Sequence, residues 1–189
     1  MNGFEKMIIR PEYVIENGLY DEALSYAEKS KRYTSNRHDF HAGGLNNKKQ
    51  KMLEGKLGEK AVKILFNDNG VSYEEDKSSF DEPDQYDFLL ISDNECLKVD
   101  VKTRTKSYHT RTLEMVEQAE KCPKDIFISA RLYKDRNTIV LLGWYTYKDM
   151  VNRNKIQNNG YRDNYVMCDK DLRPIPELMN EVLIRFIKK

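Results

Sequence analysis

Hydrophobic and polar residues alternate along two neighbouring stretches of the chain, residues 86–92 and 95–102. A period of two is typical of a β-strand with one buried face. The Asp-Asn pair at residues 93–94 can close a two-residue hairpin turn, because both residue types tolerate the left-handed conformations that such turns need. A hairpin centred on this turn places Asp87 directly opposite Asp100.

The alternation separates the side chains of this hairpin into two faces. The face that requires a hydrophobic core carries Phe88, Leu90, Leu97, Val99 and Val101. The other face carries the facing pair Asp87 and Asp100, with Lys102 two residues further along. Like charges directly opposite each other destabilise a sheet, so a chain that keeps them usually binds a cation between them. Carboxylate ligands suit Mg²⁺ or Mn²⁺, and an adjacent lysine suits phosphoryl chemistry.

Two other interpretations of these residues stay open. Any single Asp or Lys on a strand is more often an ordinary solvated side chain than a catalytic one. A shift of register by one residue, or a β-bulge, would also separate the two aspartates. The prediction of a metal site therefore depends on the register of this hairpin.

The rest of the pattern predicts helices that alternate with strands. Apolar residues recur at helical spacing over residues 20–33, 46–67, 113–120 and 174–187, and a short helix is predicted within residues 7–18 after Pro11. Short apolar runs predict further strands over residues 71–74, 125–133, 138–144 and 165–168. The order helix, three strands, helix, strands indicates an α/β fold in which a sheet is flanked by helices.

The long helix over residues 46–67 carries one further acidic candidate. Its buried stripe is predicted at Leu53, Leu57, Ala61, Ile64 and Leu65. Glu59 falls on the flank of this stripe and can point along the sheet edge towards the aspartates. Gly55 and Gly58 weaken the helix by up to about 1 kcal/mol each, which the close approach of another backbone or of DNA would explain.

Composition narrows the functional classes. The chain has 189 residues, of which 39% are hydrophobic and 33% charged, as expected for one globular domain. The sequence contains no apolar run long enough to cross a membrane and no signal-peptide layout at its start. Three widely spaced cysteines suit neither a disulfide framework nor a zinc site, so a reducing, cytoplasmic compartment is expected.

Charge is strongly segregated although the net charge is only +1. Residues 29–63 contain ten Lys or Arg residues against three acidic ones, whereas residues 74–100 contain ten acidic residues against two lysines. A cationic tract can follow a phosphate backbone, although a solvated helix face is the alternative. The candidate nucleic-acid contacts are Arg37, Lys48, Lys49, Lys51 and Lys56 in this tract, and Arg104 and Lys106 beside the hairpin.

Together these residues resemble the signature of the PD-(D/E)XK nuclease superfamily. That signature has an Asp opening one strand, Asp/Glu-x-Lys on the next, and a Glu on the preceding helix. Asp87, the segment Asp100-Val101-Lys102 and Glu59 match it in that order, and the resemblance covers about residues 46–144. The literal Pro-Asp pair ends at Asp84, which makes Asp84 a rival for the first position.

The resemblance implies a particular fold and domain division. It implies a restriction-endonuclease-like αβββαβ core with a mixed central sheet flanked by helices. The nuclease-like domain would span residues 46–189, preceded by an N-terminal helical extension over residues 1–45.

The resemblance also implies an activity, namely Mg²⁺- or Mn²⁺-dependent hydrolysis of phosphodiester bonds by a DNA endonuclease. Asp87 and Asp100 would bind the metal with the Val101 carbonyl as a further ligand, and Glu59 would bind a second metal or hold its water. Lys102 would orient the attacking water and offset the charge that develops on the phosphate. Sequence-specific cutting by so small a chain would need a homodimer, with one active site for each strand.

Two functions of other classes remain open. One is a non-catalytic nucleic-acid-binding or regulatory module on a retained nuclease fold. The other is an inhibitory protein whose acidic stretch over residues 74–100 mimics nucleic acid. A cleavage assay with and without metal distinguishes all three functions.

Overall fold

The computed structural model describes residues 10–35, 44–76, 85–158, 160 and 162–188. Its helices are α1 (Asn17–Ser35), α2 (Gly44–Asp68), α3 (Val116–Lys121), α4 (Tyr147–Arg153) and α5 (Ile175–Glu181). Its strands are β1 (Glu12–Val14), β2 (Tyr73–Glu75), β3 (Phe88–Ile91), β4 (Cys96–Arg104), β5 (Arg111–Met115), β6 (Ile126–Tyr133), β7 (Thr138–Thr146), β8 (Ile156–Asn158) and β9 (Asp163–Cys168). Short 3₁₀ helices cover Asp169–Asp171 and Leu183–Phe186.

The strands form two sheets. The larger sheet has six strands in the order β1-β7-β6-β4-β3-β2, and the smaller has three in the order β5-β9-β8. Strands β4 and β6 run parallel, whereas the other neighbours in the larger sheet are antiparallel. A parallel pair needs a crossover, and here the chain passes through β5 and α3 between the two strands. The chain therefore runs from β4, which carries Asp100 and Lys102, into β5 of the smaller sheet.

The predicted α/β class, with a mixed central sheet flanked by helices, is confirmed. The order αβββαβ is present as α2, β2, β3, β4, α3 and β6, with β5 inserted before α3. An N-terminal helix is present as α1, and Ile15 and Ala23 are buried in the same hydrophobic cluster as Leu57 of α2. The division into domains at residue 45 stays a prediction.

Three predicted elements differ from the structure. Residues 12–14 form the edge strand β1, which pairs with β7, and not a short helix. Residues 111–115 form strand β5, so the helix predicted over residues 113–120 begins only at Val116. The closing helix ends at Glu181 and gives way to the 3₁₀ helix Leu183–Phe186. Each error lies in a short segment, where packing against the rest of the molecule outweighs local pattern.

The larger sheet is covered on both faces. Helix α2 packs on one face against β4, β6 and β7, and α1 packs on α2. The predicted stripe of α2 is buried at Leu53, Leu57, Ala61 and Leu65, while Ile64 is half-buried. On the opposite face, Phe127 and Tyr145 stack against each other and join a second cluster with Tyr165 and Met167 of β9. The charged hairpin residues thus lie between two packed layers.

Helix α2 approaches β4 closely at one glycine. A Cβ atom on Gly58 would lie 1.8 Å from Thr103 Oγ1, which no real contact tolerates. The Thr103 hydroxyl also donates a hydrogen bond of 3.4 Å to the Gly55 carbonyl. Gly58 thus lies at a close approach, but to a strand side chain and not to the backbone or DNA expected from the sequence, and a Cβ atom on Gly55 would meet nothing within 4 Å.

The structure also bears on membrane insertion. Within the described part of the chain, no helix combines the length and the apolar character needed to cross a bilayer.

Candidate active site

The register of the β3–β4 hairpin is the predicted one. Phe88 pairs with Val99 and Leu90 with Leu97, and the regular pairing ends at Phe88. The predicted direct facing of Asp87 and Asp100 is not found, because the Asp87 backbone bonds one residue out of this register. The Asp87 backbone N–H donates to the Val99 carbonyl at 2.9 Å. The Val101 N–H donates in turn to Asp87 Oδ2 at 2.6 Å, which turns the carboxylate towards β4. The two aspartates are thus held at the end of the hairpin by backbone geometry.

Asp100 and Lys102 lie on one face of β4 and form an ion pair. Lys102 Nζ lies 2.8 Å from Asp100 Oδ2, with side-chain exposures of 26% and 16%. Apart from this ion pair, the buried Oδ2 atom has no hydrogen-bond partner among the described residues. A buried carboxylate oxygen without a directional donor is suited to a cation.

Helix α2 contributes Glu59 and Lys56 to the same site. The two side chains form an ion pair of 2.7 Å across one helical turn, and both are largely buried. Lys56 also lies over the ring of Tyr26 of α1, 4.1 Å from its centroid. The predicted acidic residue of the helix thus lines the same cleft as Asp87, accompanied by a lysine that was predicted to contact DNA.

A cleft of about 540 Å³ gives access to this part of the site. Its walls come from α1, α2 and the hairpin, and they include Tyr26, Lys56, Glu59 and Asp87. The cleft therefore connects solvent with Glu59 and Asp87, two of the three carboxylates that the sequence predicts to be functional.

Carboxylate charge is concentrated around Asp87. Burial raises the pKa of Asp87 well above its usual range, and Glu59 and Asp100 raise it further. Lys56 and the Val101 N–H oppose this rise without cancelling it. Burial disfavours the charged form of Lys56, but Glu59 and Asp87 outweigh burial and raise the lysine pKa. At Asp87, the neighbouring carboxylates and burial therefore outweigh the effect of Lys56.

Glu114 of β5 is a member of the site that sequence reasoning missed. Its carboxylate lies 2.8 Å from Lys102 Nζ, the same distance as the carboxylate of Asp100. Glu114 is 6% exposed, and burial, together with Asp100, raises its pKa against the effect of Lys102. Thr112 and Glu114 alternate as buried residues along β5 while Leu113 is 37% exposed. The signal in the sequence was the alternation of polar and apolar residues over residues 112–115, which is typical of a strand. It was overlooked because residues 113–120 were predicted as a helix.

The carboxylates of the site suit a hard divalent cation that takes few protein ligands. Among the residues described, no three Asp, Glu, His or Cys side chains are grouped as a ready-made metal centre. Mg²⁺ needs fewer protein ligands, since it is usually bound by one or two carboxylates together with waters and substrate phosphates. Asp87 and Asp100 can supply these carboxylates, and Asp100 Oδ2 already lies beside a cation, the Lys102 ammonium. The Val101 carbonyl and Glu59 as further ligands stay predictions.

The predicted nucleic-acid contacts on and near α2 lie in different environments. Arg37 falls outside the described residues, and so does the side chain of Lys48. Lys49 forms an ion pair with Glu28 of α1, whereas Lys51 is exposed on α2. Lys56 is the exception, because its ammonium lies inside the carboxylate site and not on an outer helix face. Asp84, the rival metal ligand, also lies outside the described residues.

Arg104 requires a correction, whereas Lys106 lies where a nucleic-acid contact could form. Arg104 is 9% exposed and forms an ion pair of 2.5 Å with Asp169, and so its guanidinium is not free to contact DNA. It donates to the His109 carbonyl at 2.8 Å, as Arg131 does at 2.9 Å. These bonds fix the loop between β4 and β5, on which Lys106 is exposed.

Comparison with known proteins gives a weak likeness. No protein-family profile matches the sequence, and no curated protein matches it. Among solved structures, the chain is similar to a bacterial homing endonuclease, I-Ssp6803I, with 12% sequence identity and a TM-score of 0.44. The alignment covers 70% of this chain and 92% of that one. At this identity and TM-score the likeness carries no functional conclusion, and function is inferred from the geometry of the site alone.

Proposed function

We propose that this protein is a metal-dependent nuclease that hydrolyses phosphodiester bonds, with DNA as its substrate and endonucleolytic cutting as its activity. The observation that supports the proposal is that the Val101 N–H holds the Asp87 carboxylate next to Asp100 on β4, with Lys102 2.8 Å from Asp100. A phosphodiester needs help with both the attacking water and the charge on its oxygens, and this set of groups can supply both.

Mg²⁺ or Mn²⁺ is the cofactor that this donor set fits. Asp87 and Asp100 would hold it, the Val101 carbonyl would be a further ligand, and Glu59 would bind a second metal or retain a metal-bound water. When bound, the metal would act as a Lewis acid on the phosphate and lower the pKa of a bound water. Asp87 keeps its orientation for this task through the hydrogen bond from the Val101 N–H.

Lys102 would act as a cation and hydrogen-bond donor in this reaction. Burial alone would lower its pKa, but Asp100 and Glu114 outweigh burial and raise it, so the ammonium form prevails at neutral pH. A protonated lysine cannot accept a proton from water. It can orient the attacking water through a hydrogen bond and offset the negative charge that develops on the phosphate oxygens.

Docking of the DNA backbone would use exposed cations around the site. The exposed candidates are Lys51 on α2 and Lys106 on the β4–β5 loop. Lys49 also lies on α2, two residues before Lys51. Phosphate contacts of this kind give affinity without sequence preference. Cutting both strands at one sequence would need a homodimer that brings two such sites to the duplex.

Cleavage of supercoiled plasmid tests the proposal. Purified wild-type protein should nick or cut the plasmid with Mg²⁺ or Mn²⁺ and should leave it intact in EDTA. Lys102→Ala should lose most of the turnover, while Lys121→Ala, which changes an exposed lysine on α3, should keep it. Linear, single-stranded and RNA substrates in the same assay identify the preferred nucleic acid.

The same assay separates the other functions. Binding of DNA without metal-dependent cleavage would replace the nuclease proposal by a non-catalytic binding module. Wild-type turnover by Lys102→Ala would remove that residue from the catalytic set. Absence of both binding and cleavage would favour an inhibitory role for the acidic stretch.

A further inference from the structure

Glu114 reaches the site from the smaller sheet, and not from the hairpin that carries the other groups. Strand β5 pairs with β9, and Glu114 lies opposite Tyr165 in that pairing. The carboxylate points away from its own sheet and lies 2.8 Å from Lys102 Nζ on β4. The two sheets are therefore joined by a charged contact at the proposed catalytic lysine.

A second contact fixes this part of β5 next to Lys102. Thr112 Oγ1 and Ser129 Oγ lie 3.3 Å apart and share a hydrogen bond. Ser129 is the residue of β6 that pairs with Lys102 in the parallel register. Because Thr112 and Glu114 project from the same face of β5, this hydrogen bond and the ion pair hold the strand against the central sheet at neighbouring positions. The location of Glu114 is thus set by the fold.

Lys102 is held from two sides. Asp100 and Glu114 each lie 2.8 Å from its ammonium group. The side chain of Lys102 is 26% exposed and that of Glu114 only 8%, so the lysine retains access to solvent while the glutamate is enclosed. A lysine side chain has four rotatable carbon bonds, and a single carboxylate would leave its ammonium several positions. A second carboxylate leaves it fewer.

We propose that Glu114 is a positioning residue that fixes the Lys102 ammonium for its role at the scissile phosphate. This inference rests on the proposed nuclease function. Glu114 contacts neither metal nor substrate in this role. It acts through Lys102, since the ammonium needs a defined position to orient a water and to meet developing charge.

Steady-state cleavage kinetics of Glu114→Gln test the inference. The amide keeps the shape of the side chain and removes its charge. We expect kcat to fall by roughly 10- to 100-fold, the range typical of residues that orient another group in a site. KM for plasmid and the rise in melting temperature on adding Mn²⁺ should stay within about twofold of wild type, because binding groups are unchanged. Glu114→Asp, which keeps the charge at shorter reach, should recover part of kcat.

A double variant distinguishes positioning from general stabilisation. If Glu114 acts through Lys102, Glu114→Gln should cause no further loss of kcat when added to Lys102→Ala. A residue that merely stabilises the fold would lower activity by the same factor in both backgrounds. Glu117→Gln is the matched control, since Glu117 is an exposed glutamate on α3 that pairs with Lys121.

Each outcome of these measurements is decisive. If the wild type cuts and Glu114→Gln keeps the wild-type kcat, the inference fails while the nuclease proposal stands. Loss of the Mn²⁺-induced rise in melting temperature would make Glu114 a metal ligand and would also overturn the positioning role. If the wild type cuts nothing with either metal, the nuclease proposal fails and the inference fails with it. Should Glu114→Gln not fold, Glu114→Asp and its combination with Lys102→Ala give the same comparison.

Discussion

Asp87 is a buried carboxyl group whose ionised form is disfavoured by its surroundings. Burial raises its pKa most, and Glu59 and Asp100 add to the rise. An acid with a higher pKa in the folded state than in the unfolded state contributes stability at low pH and loses it as pH rises. Ionisation of Asp87 in the folded protein therefore opposes folding unless a cation is bound.

Replacing Asp87 by asparagine should raise the melting temperature of the metal-free protein. The two proteins should melt alike below the ordinary aspartate pKa of about 3.9, where both side chains are neutral. The advantage of Asp87→Asn should then grow as pH rises towards the elevated pKa of the folded state and stay constant above it. Thermal melts in EDTA from about pH 4 to about pH 8 measure this difference. An asparagine variant that melts lower throughout would show that the aspartates do not repel each other.

Metal should reverse the order of these two proteins. A ligand that binds only the folded state stabilises it by RT ln(1 + [L]/Kd), or about 2.7 kcal/mol at a hundred times Kd. Mn²⁺ should therefore raise the melting temperature of the wild type clearly and that of Asp87→Asn much less. Equal gains in both proteins would exclude a metal site that uses Asp87.

Tyr145 offers a separate test in the layer behind Lys102. Its hydroxyl is buried and has no hydrogen-bond partner among the described residues, while its ring stacks on Phe127 at 5.0 Å. Leaving a buried polar group unpaired costs about 1–3 kcal/mol. Tyr145→Phe should therefore raise the free energy of unfolding or leave it unchanged, as measured by urea denaturation. A decrease of more than about 1 kcal/mol would show that the hydroxyl does have a partner.

At the scale of single elements, α2 and β4 are fitted to each other by one glycine. A methyl group on Gly58 would meet the short, β-branched side chain of Thr103, which has little freedom to move. A methyl group on Gly55 meets nothing within 4 Å. The same substitution in the same helix thus has opposite expected effects.

Gly58→Ala should lower the free energy of unfolding by about 1–3 kcal/mol through overpacking. Gly55→Ala should raise it by up to about 1 kcal/mol, because alanine favours helix more than glycine does. Urea denaturation of both variants measures the contrast, and Thr103→Ala should relieve the cost of Gly58→Ala. Equal effects of the two glycine substitutions would contradict the close packing of α2 on β4.

Strand β5 shows why one element and one site residue were not predicted. Leu113 faces outwards, and the buried positions are taken by Thr112 and Glu114. A pattern with the polar residues inside is misleading when hydrophobicity alone marks the core. Glu114 is buried because Lys102 lies opposite, and the packing of one sheet against another is not encoded locally.

Arg104 was misassigned for a related reason. A basic residue that follows the predicted catalytic lysine is easily taken for a DNA contact. Its partner, Asp169, lies 65 positions later in the chain. Only the fold, which brings the 3₁₀ helix Asp169–Asp171 next to Arg104 of β4, shows that the charge is used to fix the β4–β5 loop. The β3–β4 hairpin, in contrast, was predictable because its turn and its alternation are adjacent in sequence.

At the scale of the whole molecule, the class of fold was more predictable from the sequence than the exposure of the charged side chains. The αβββαβ order follows from successive local patterns. Which lysines face solvent depends on packing between layers, as the enclosed Lys56 and the exposed Lys51 of one helix show. A basic tract therefore indicated a nucleic-acid partner without identifying the residues that would contact it.

DNA affinity should depend on the exposed lysines in a salt-dependent way. Replacing Lys51 and Lys106 by glutamine should weaken binding and reduce the slope of log affinity against log salt by about one for each phosphate that the variant no longer neutralises. Binding titrations in EDTA at several salt concentrations measure the slope, with Lys121→Gln as the control. An unchanged slope would assign both residues to the ordinary solvated surface.

The central claim is that Asp87 and Asp100 together hold a metal that the protein needs to cut DNA. The most direct measurement is the rate of plasmid cleavage as Mn²⁺ is added, for the wild type and for Asp100→Asn at equal concentration. The wild-type rate should rise from zero in EDTA to a plateau as Mn²⁺ increases, while Asp100→Asn should show no cleavage at any concentration. Cleavage by Asp100→Asn at the wild-type rate, or no cleavage by the wild type with either metal, would contradict the account.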